Sequence, residues 1–291
     1  MKRLLLSHAA IAPTVSVPTQ NERGDTVETH IPGEHPLTIY LNKRELVTLM
    51  TLGSAPEALV LGYLRNQRLV SSMDEVESIQ VDWETNAAAV KTVVPVKRMQ
   101  ERTAHRIVTT GCGQGTLFGG LMDDLDSVSL DPNMKITQLA LYSIVEMIRT
   151  YPSIYRQAGS VHGCALFEVT TEAASLKMFF EDVGRHNAVD SIAGRMWLDD
   201  VEGRDKVFYT TGRLTSEMVI KAAQMGLAVL ISRSGVTQMG YQVANRVGIT
   251  LLGRCTGRHF LLYTGKERFV ANALPLASAA RESPSRTTLD A

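Results

Sequence analysis

Hydrophobic and polar positions follow two different periods along this chain of 291 residues. In its first hundred residues, the apolar runs 37–41 and 45–50 are separated by three polar residues, which predicts a β-hairpin. Ser54 and Glu57 then flank a proline in the pattern of a capping box, so we expect a helix from there to about residue 70. Period-two alternation predicts two further strands, at 78–83 and 87–93.

The second half of the chain switches repeatedly between short apolar runs and helical faces. Strands are predicted at 164–169, 175–181, 206–211, 227–231, 249–253 and 259–263. Helices are predicted at 215–225 and 236–247, and around the apolar faces 140–148 and 189–197. This alternation predicts an α/β fold with a largely parallel sheet that is covered by helices on both faces.

Composition divides the chain into five segments. They are an N-terminal arm (1–35), a small α+β domain (36–100), a glycine-rich connecting region (101–134), an α/β domain (135–270) and a tail (271–291) that we expect to be disordered. The connecting region is long and has weak periodicity. Loops of that kind are usually functional or disordered.

The overall charge balance excludes some classes of partner. Thirty basic and thirty acidic residues cancel, so the charge predicts neither a nucleic-acid partner nor an anionic membrane surface.

The run of three leucines near Met1 is too short for a signal peptide, and no stretch approaches the roughly 20 apolar residues of a membrane span. Three cysteines are too few for a disulfide framework, so we expect a cytoplasmic protein.

Cys112 is a candidate nucleophile in the connecting region. It has glycine on both sides and again three residues later, whereas a structural cysteine usually has apolar neighbours. Glycine lets the backbone bend and lets a partner approach the sulfur closely. The alternative is an ordinary loop cysteine, and the composition alone does not decide between the two.

Arginines follow four of the predicted strands, where ligands bind in open α/β sheets. They are Arg185, Arg213, Arg233 and the pair Arg254 and Arg258, and histidines accompany two of these groups. A single arginine in such a place is usually solvated. Four groups on one edge of a neutral chain instead predict a large ligand that carries several phosphates, because guanidinium groups make forked contacts to phosphate.

The histidines and the remaining cysteines leave alternatives open. His186 and Asp190 are one helical turn apart, so the carboxylate could orient the imidazole toward a ligand or make a hydrogen bond on the helix surface. His162 precedes Cys164, but the chain lacks the H-x-E and C-x-x-C pattern of zinc deaminases, so we expect no zinc. Cys164 is expected in the core. Cys255 lies between two arginines that could lower its pKa, and is expected in the wall of the ligand site.

Several segments together resemble the FdhD/NarQ family of formate dehydrogenase accessory proteins. The matching segments are Glu-Asp-Val-Gly-Arg-His-Asn-Ala-Val-Asp (181–190), Thr-Gly-Arg-Leu-Thr-Ser-Glu-Met-Val (211–219), Ile-Thr-Leu-Leu-Gly (249–253), Thr-Thr-Gly-Cys-Gly (109–113) and Pro-Leu-Thr-Ile-Tyr-Leu-Asn (36–42). The resemblance extends from about residue 30 to 270, and its motifs agree in order and spacing.

This resemblance implies a fold, a function and a site. The fold would be a cytidine-deaminase-like three-layer α/β core without the zinc site, with a small α+β N-terminal domain. Cys112 would take sulfur as a persulfide from a cysteine desulfurase and pass it to the bis(molybdopterin guanine dinucleotide) molybdenum cofactor before insertion into formate dehydrogenase, which would make the protein a sulfurtransferase. The cofactor-binding residues would be Arg254, Cys255, Thr256, Gly257, Arg258 and His259, and the protein would be a homodimer.

Two departures from the family pattern bear on this expectation. Members usually have C-x-x-C in the loop, whereas Gly115 stands at the second position here. A single persulfide carrier survives this change because it needs only one thiol, but a cofactor-binding chaperone that transfers no sulfur is then an alternative. The acidic family pattern is also altered at residues 62–68, which bears on the expected contact with the desulfurase or the formate dehydrogenase.

Overall fold

The computed structural model describes residues 4–94 and 128–273 of the chain. Residues 4–94 form an N-terminal unit, and residues 128–273 form a C-terminal unit. The predicted division into domains and the predicted disorder of the tail stay predictions. Cys112 lies outside the described residues.

The N-terminal unit is a five-stranded sheet with one helix. Its strands are β1 (Leu5–Leu6), β4 (His35–Leu41), β5 (Arg44–Thr51), β6 (Val76–Asp82) and β7 (Ala87–Thr92), in the spatial order β1-β6-β7-β4-β5, and the helix is α1 (Pro56–Asn66). The predicted hairpin and the two predicted strands are therefore confirmed. A separate two-stranded ribbon, β2 (Thr14–Gln20) and β3 (Thr26–Pro32), was not expected from the pattern.

The predicted capping box of α1 is wrong. The helix begins after Ala55 without a side-chain cap, with proline at its first position. Glu57 turns away from the helix and accepts hydrogen bonds from Ser7 Oγ at 2.7 Å and from the Ala9 backbone N–H at 2.8 Å. A carboxylate at this position thus fastens the N-terminal arm to the unit, because the arm offers it two donors. The helix ends at Asn66, four residues before the predicted end.

The C-terminal unit is built on a six-stranded mixed sheet. Its strands are β9 (His162–Val169), β10 (Ala174–Asp182), β11 (Lys206–Thr210), β12 (Val229–Ser232), β13 (Thr250–Thr256) and β14 (His259–Thr264), in the order β10-β9-β11-β12-β13-β14. Its helices are α2 (Gln138–Thr150), α3 (Ile154–Ala158), α4 (Arg185–Leu198), α5 (Ser216–Gln224) and α6 (Gln238–Val247). Two short strands, β8 (Ile136–Thr137) and β15 (Phe269–Val270), pair beside this sheet.

The expectation of a largely parallel sheet is wrong. Within the six-stranded sheet, only β11, β12 and β13 pair in parallel, and the pairs β9–β10, β9–β11 and β13–β14 are antiparallel. The reason is that β9 and β10, and likewise β13 and β14, are joined by short turns rather than by crossover helices, and a short turn allows only antiparallel pairing.

Alternate strand residues build two cores and hence three layers. Leu166, Phe208 and Leu230 face a core beneath α4, α5 and α6, whereas the neighbouring Phe167 and Val229 face the other side, which α2 covers. Both faces of the sheet are thus apolar, as in other sheets covered on both sides. The expected α/β three-layer core is confirmed.

The two units are joined by a close crossing of α1 and α4. A β carbon on Gly62 would overlap the carbonyl oxygen of Asp190, and one on Gly194 would overlap that of Ala58. The two glycines therefore let the helix backbones touch. Residues 62–68, where the chain departs from the acidic family pattern, lie at this contact. The first residues of this segment therefore have a structural role in packing the two helices. Within the residues that the structure describes, no helix is long and apolar enough to cross a membrane.

Candidate functional site at the carboxyl edge of the sheet

The strand ends that carry the arginines meet at one edge of the six-stranded sheet. Asp182 of β10 lies opposite His162 at the start of β9, and Thr210 of β11 lies opposite both Cys164 of β9 and Ser232 of β12. Because β10, β11, β12 and β13 all run in the same direction, their carboxyl ends share this side, which we call the carboxyl edge. Sequence reasoning placed these ends together correctly.

A cavity of about 320 Å³ opens at the carboxyl edge on the α2 side of the sheet. Its walls come from α2, from α3 and from the ends of β10 to β13. The lining residues are Val145, Ile148, Arg149, Ser153, Tyr155, Arg156, Phe179, Glu181, Tyr209, Thr211, Arg233, Cys255, Thr256 and Gly257. The volume lies at the lower end of the range for small-molecule sites, and the mixture of apolar walls with a few charged groups is typical of them.

Three arginines line the cavity in different states. Arg149 is engaged by Glu146 through two hydrogen bonds of 2.6 and 2.8 Å. Arg156 donates to the backbone carbonyl of Arg149 at 2.8 Å. The guanidinium of Arg233 lies 5.8 Å from the centre of the Tyr155 ring, a cation–π distance, and the Arg233 residue is exposed. An anion that enters the cavity would meet Arg233 and Arg156.

Glu181 is the one carboxylate among the described lining residues. Its oxygens accept the backbone N–H of Ile154 at 2.6 Å and that of Tyr155 at 3.1 Å, so it also holds the start of α3. Burial raises the pKa of Glu181, and these two backbone hydrogen bonds oppose the rise. The carboxylate is thus fixed in position by the backbone of the cavity wall.

Half of the cofactor segment that the resemblance implied lies in the cavity wall. Cys255, Thr256 and Gly257 line the cavity at the end of β13. The other three residues, Arg254, Arg258 and His259, are exposed at the same β13–β14 hairpin but are not among its lining residues. The Arg258 guanidinium lies 5.9 Å from the ring centre of Tyr142 on α2. The assignment of these six residues to a cofactor stays a prediction.

Both cysteines within the described residues are buried. Burial raises the pKa of Cys255 to about 12, which contradicts the expectation that the neighbouring arginines lower it. The physical reason is that Arg254 is directed to solvent while the Cys255 thiol, with 1% of the residue exposed, faces the α2 core. Burial likewise raises the pKa of Cys164 to about 12, and its expected core position is confirmed. Neither thiol is a thiolate at neutral pH.

The segment 181–190 mainly fastens the two units together. Asp182 accepts hydrogen bonds from Thr51 Oγ1 at 2.5 Å and from the Leu52 backbone N–H at 3.2 Å, both at the end of β5. Asn187 donates to Asp182 at 2.9 Å and to the carbonyl of Met50 at 2.7 Å. The resembling motif therefore places only Glu181 in the cavity wall.

The hydrogen bond between His186 and Asp190 that both alternatives assumed is not formed, because each side chain has partners on other helices. Both residues are buried. Asp190 accepts hydrogen bonds from Asn66 Nδ2 at 2.7 Å and from Lys221 Nζ at 2.9 Å, while His186 Nδ1 lies 3.2 Å from Glu217 Oε1. Residues of α1 and α5 therefore bind the two side chains. The sequence had instead suggested a ligand or a hydrogen bond within α4.

His162 lies at the carboxyl edge near two of the predicted arginines. Its ring lies 3.5 Å from Thr211 Oγ1, and burial, followed by the charges of Arg185 and Arg213, lowers its pKa. Arg185 is the first residue of α4 and is buried, whereas Arg213 is exposed. In the described ranges, no group of three His, Cys, Asp or Glu side chains could hold a metal ion.

Sequence reasoning missed the wall of the cavity that α2 and α3 supply. Arg149, Tyr155 and Arg156 stand in the segment 149–156, which follows no predicted strand. A signal was present, because two arginines and two tyrosines surround a Pro-Ser pair that caps a new helix. Ser153 does cap α3, with its Oγ accepting the Arg156 N–H at 3.3 Å. The predicted site included only residues that follow strands, so this segment was not part of it.

Comparison with known proteins identifies the family. The model of the FdhD/NarQ family matches residues 32–270. Proteins named sulfur carrier protein FdhD from Listeria innocua and Bacillus subtilis are each 30% identical to this chain; each match covers 83% of the chain, and 92% and 91% of the two relatives respectively. A crystal structure from Desulfotalea psychrophila, provisionally described as a formate dehydrogenase accessory protein, superposes with a TM-score of 0.70 at 24% identity over 88% of this chain and 98% of that one. The chain belongs to the FdhD/NarQ family.

Proposed function

We propose that this protein is a sulfur carrier that serves formate dehydrogenase, with Cys112 as the carrying residue. Its relatives are named sulfur carriers, and the chain has three cysteines. One observation carries the assignment to Cys112: Cys164 and Cys255 are buried, and their pKa values are raised to about 12. A sulfur carrier needs an accessible thiolate, so these two are unsuitable and Cys112 is left.

The sulfur transfer follows the chemistry of thiol–disulfide exchange. The Cys112 thiolate attacks the outer sulfur of a persulfide on a cysteine desulfurase. A new S–S bond forms on Cys112, the S–S bond of the donor breaks, and the donor cysteine leaves as a thiolate. Because Gly115 stands in place of a second loop cysteine, this step needs no other thiol of the loop.

The client of the carrier is the bis(molybdopterin guanine dinucleotide) molybdenum cofactor, held at the carboxyl edge before insertion into formate dehydrogenase. Arg233 and Arg156 at the cavity suit the phosphates of such a ligand, and the aromatic rings of Tyr155 and Phe179 suit its bases. The cytoplasm as location and a homodimer as assembly belong to the same proposal.

Mass spectrometry tests the carrier role directly. The full-length protein is incubated with a cysteine desulfurase and cysteine, and its peptides are then mapped without reductant. We expect a gain of about 32 Da, the mass of one sulfur atom, on the Cys112 peptide and none on the peptides of Cys164 and Cys255. In cells, Cys112→Ala should abolish formate dehydrogenase maturation while nucleotide binding stays intact. Normal maturation in that variant would refute the role.

A cofactor-binding chaperone without sulfur transfer is the second candidate. The observation that favours it is the single thiol of the loop, since members of the family usually have two. The same mass spectrum separates the candidates: a chaperone would bind guanine nucleotides yet acquire no sulfur on Cys112.

A further inference from the structure

A second cavity lies at the side of the sheet opposite the carboxyl edge. The helices α4 and α5 begin at the carboxyl edge, so their C-terminal ends lie at the other side, where they meet the end of α1. The cavity between these helix ends has a volume of about 610 Å³, within the range of small-molecule sites. We call it the amino-edge cavity, and its described lining includes Arg65, Arg68, Ser71, Ser129, Trp197 and Gln224.

Arg65 is the unusual group of this cavity. Its guanidinium lies 4.8 Å from the centre of the Trp197 ring, and Nη1 donates to the backbone carbonyl of Ala193 at 2.8 Å. Within the described residues, no carboxylate forms an ion pair with it, and burial lowers its pKa to about 10. An arginine has five N–H donors, so most of those of Arg65 remain for a ligand.

The carboxylates nearby lie in an adjoining groove rather than in the cavity. No acidic residue is among the described residues that line the cavity itself. The adjoining groove, of about 840 Å³, is lined among others by Asp74, Asp131, Asp200 and Glu202. These carboxylates repel a doubly charged phosphate more strongly than a singly charged carboxylate, and one guanidinium fork is enough to bind a carboxylate. The charges therefore favour a carboxylate as the ligand of the cavity.

Arg68 has a backbone conformation that arginine rarely adopts. Its φ angle is 52°, in the left-handed region that favours glycine. The Gln224 amide, oriented to satisfy both of its neighbours, accepts the Arg68 Nε–H at 3.2 Å. Strained backbone of this kind is concentrated at functional sites. Arg68 also ends the segment 62–68, so the departure from the acidic family pattern places a positive charge in the cavity wall.

We propose that the amino-edge cavity binds a carboxylate group against Arg65 and Arg68. The planar guanidinium fork matches the two oxygens of a carboxylate, and the contacts of Arg65 with Trp197 and with the Ala193 carbonyl hold that fork in place. The site is distinct from the cavity at the carboxyl edge, because it lies at the opposite ends of α4 and α5.

The carboxylate has one of two sources. One is a separate molecule, such as an acidic segment of a partner protein. The other is the chain itself, because Asp123, Asp124 and Asp126 precede Ser129 of the cavity wall by six residues or fewer. These aspartates lie outside the described residues. Both sources present the same chemistry to Arg65, and the experiment separates them.

Isothermal titration calorimetry on the full-length protein tests the proposal with the peptide acetyl-Asp-Asp-Leu-Asp-amide, which has the sequence of residues 123–126. The control ligand is the neutral peptide acetyl-Asn-Asn-Leu-Asn-amide. We expect only the acidic peptide to bind. It should also change the fluorescence of Trp197, which is the one tryptophan left in the variant Trp83→Phe. Equal binding of the two peptides would overturn the proposal.

A triple variant with Asp123→Asn, Asp124→Asn and Asp126→Asn identifies the source. If these aspartates occupy the cavity, the wild type should bind the acidic peptide more weakly than the triple variant by roughly tenfold or more, because a tethered group competes at high effective concentration. Equal affinities in the two proteins assign the site to a separate ligand. If the acidic peptide binds to neither protein, the proposal is wrong.

Arginine variants of the triple variant locate the site. Arg65→Met should weaken the binding of the acidic peptide roughly 10- to 100-fold, the effect of losing a hydrogen bond between charged groups. The matched control is Arg195→Met, because Arg195 is also on α4 beside Trp197 but pairs with Asp199 at 2.7 Å. It should leave the affinity unchanged.

Arg68→Gly keeps the test decisive if Arg65→Met does not fold. Its backbone conformation favours glycine, so this variant should be at least as stable as its parent while it binds the acidic peptide roughly tenfold more weakly. Retained affinity in Arg68→Gly, or a loss in Arg195→Met equal to that in Arg65→Met, would overturn the proposal.

Discussion

The carboxyl edge and the contact between α1 and α4 use charged residues in opposite ways. At the edge, Arg213, Arg233 and Arg258 are exposed. At the contact, Asp190 and Lys221 have 0% and 1% of their surface exposed and lie 2.9 Å apart. A buried charge that is neutralised by another side chain stabilises the fold, whereas an exposed charge is available to bind a ligand. The same signature segment, 181–190, contributes to both regions.

The buried charges beside the contact stabilise the fold only while each keeps its partner of opposite charge. Lys221 Nζ lies 2.9 Å from Asp190 and 3.5 Å from Glu217. Burial lowers the pKa of Lys221, but the two carboxylates more than offset this, so its pKa is raised and it stays charged. The removal of one partner leaves a buried charge without compensation, which costs far more than the loss of an exposed pair.

Lys221→Met should therefore give the largest loss of stability. We expect the free energy of unfolding to fall by about 3–5 kcal/mol, because Asp190 is left buried without its cation. Urea denaturation measures this change. The control is Lys177→Met, which removes a partly exposed lysine 3.2 Å from Glu168 and should cost no more than about 1 kcal/mol. Equal losses in the two variants would contradict the distinction between the regions.

Gly62→Ala should give the next largest effect. Alanine normally stabilises a helix relative to glycine by roughly 0.5–1 kcal/mol. Here the added methyl group would overlap the backbone of Asp190, so α1 and α4 must separate, and we expect a net loss of about 1–3 kcal/mol. Chemical denaturation gives the sign as well as the size. Gly235→Ala, where an added β carbon meets nothing within 4 Å, should leave stability nearly unchanged.

Arg233→Ala should separate ligand binding from stability at the carboxyl edge. Its side chain is exposed, so we expect the free energy of unfolding to stay the same while the affinity for GDP falls by roughly tenfold, the effect of losing one charged hydrogen bond. Calorimetric titration and urea denaturation together test this. The control is Arg204→Ala, an exposed arginine before the start of β11 that pairs with Glu202 at 2.7 Å. A matching loss of affinity in this control would show a nonspecific effect of charge.

The pH dependence should show the smallest effect. Burial lowers the pKa of His186 despite the neighbouring Glu217, so the folded protein holds this ring neutral. Below an unfolded pKa of about 6.5 the unfolded chain binds more protons than the folded one, so stability is lost as the pH falls toward the folded pKa. Urea denaturation between pH 7.5 and 5.5 should show a flatter profile for His186→Gln. The control His30→Gln, at an exposed position on β3, should follow the wild type.

The fold could be predicted where the local pattern decides it. The β4–β5 hairpin and the alternation of β11, α5, β12, α6 and β13 follow from apolar spacing, because alternate residues must reach the core. Strand direction could not be predicted for β9 and β14, since it depends on how the chain returns to the sheet. The ribbon of β2 and β3 was missed because its alternation is mostly polar and partly exposed.

The candidate site could be predicted only in part. That Arg233 and Cys255 meet at one edge follows from strand ends and their common direction. Arg149 and Arg156 reach the same cavity from helices, and no periodicity links a helix residue to a distant strand end. Whether a charged residue faces a ligand or a protein partner also depends on residues far along the chain, as with Asp190 and Asn66.

Apolar spacing and motifs were enough to predict most of the strands and helices, the family, the shared edge of the strand ends and one thiol among glycines. Which polar groups find their hydrogen-bond partners within the protein depends on the tertiary structure. In the folded chain, Glu57 accepts a hydrogen bond from the N-terminal arm and Asp190 accepts one from Lys221. The thiol of Cys255 is buried, and its pKa is raised to about 12. The physical reason is that spacing along a chain fixes the face on which a side chain lies, whereas burial and partners, which set its charge and reactivity, come from segments that the local pattern does not contain.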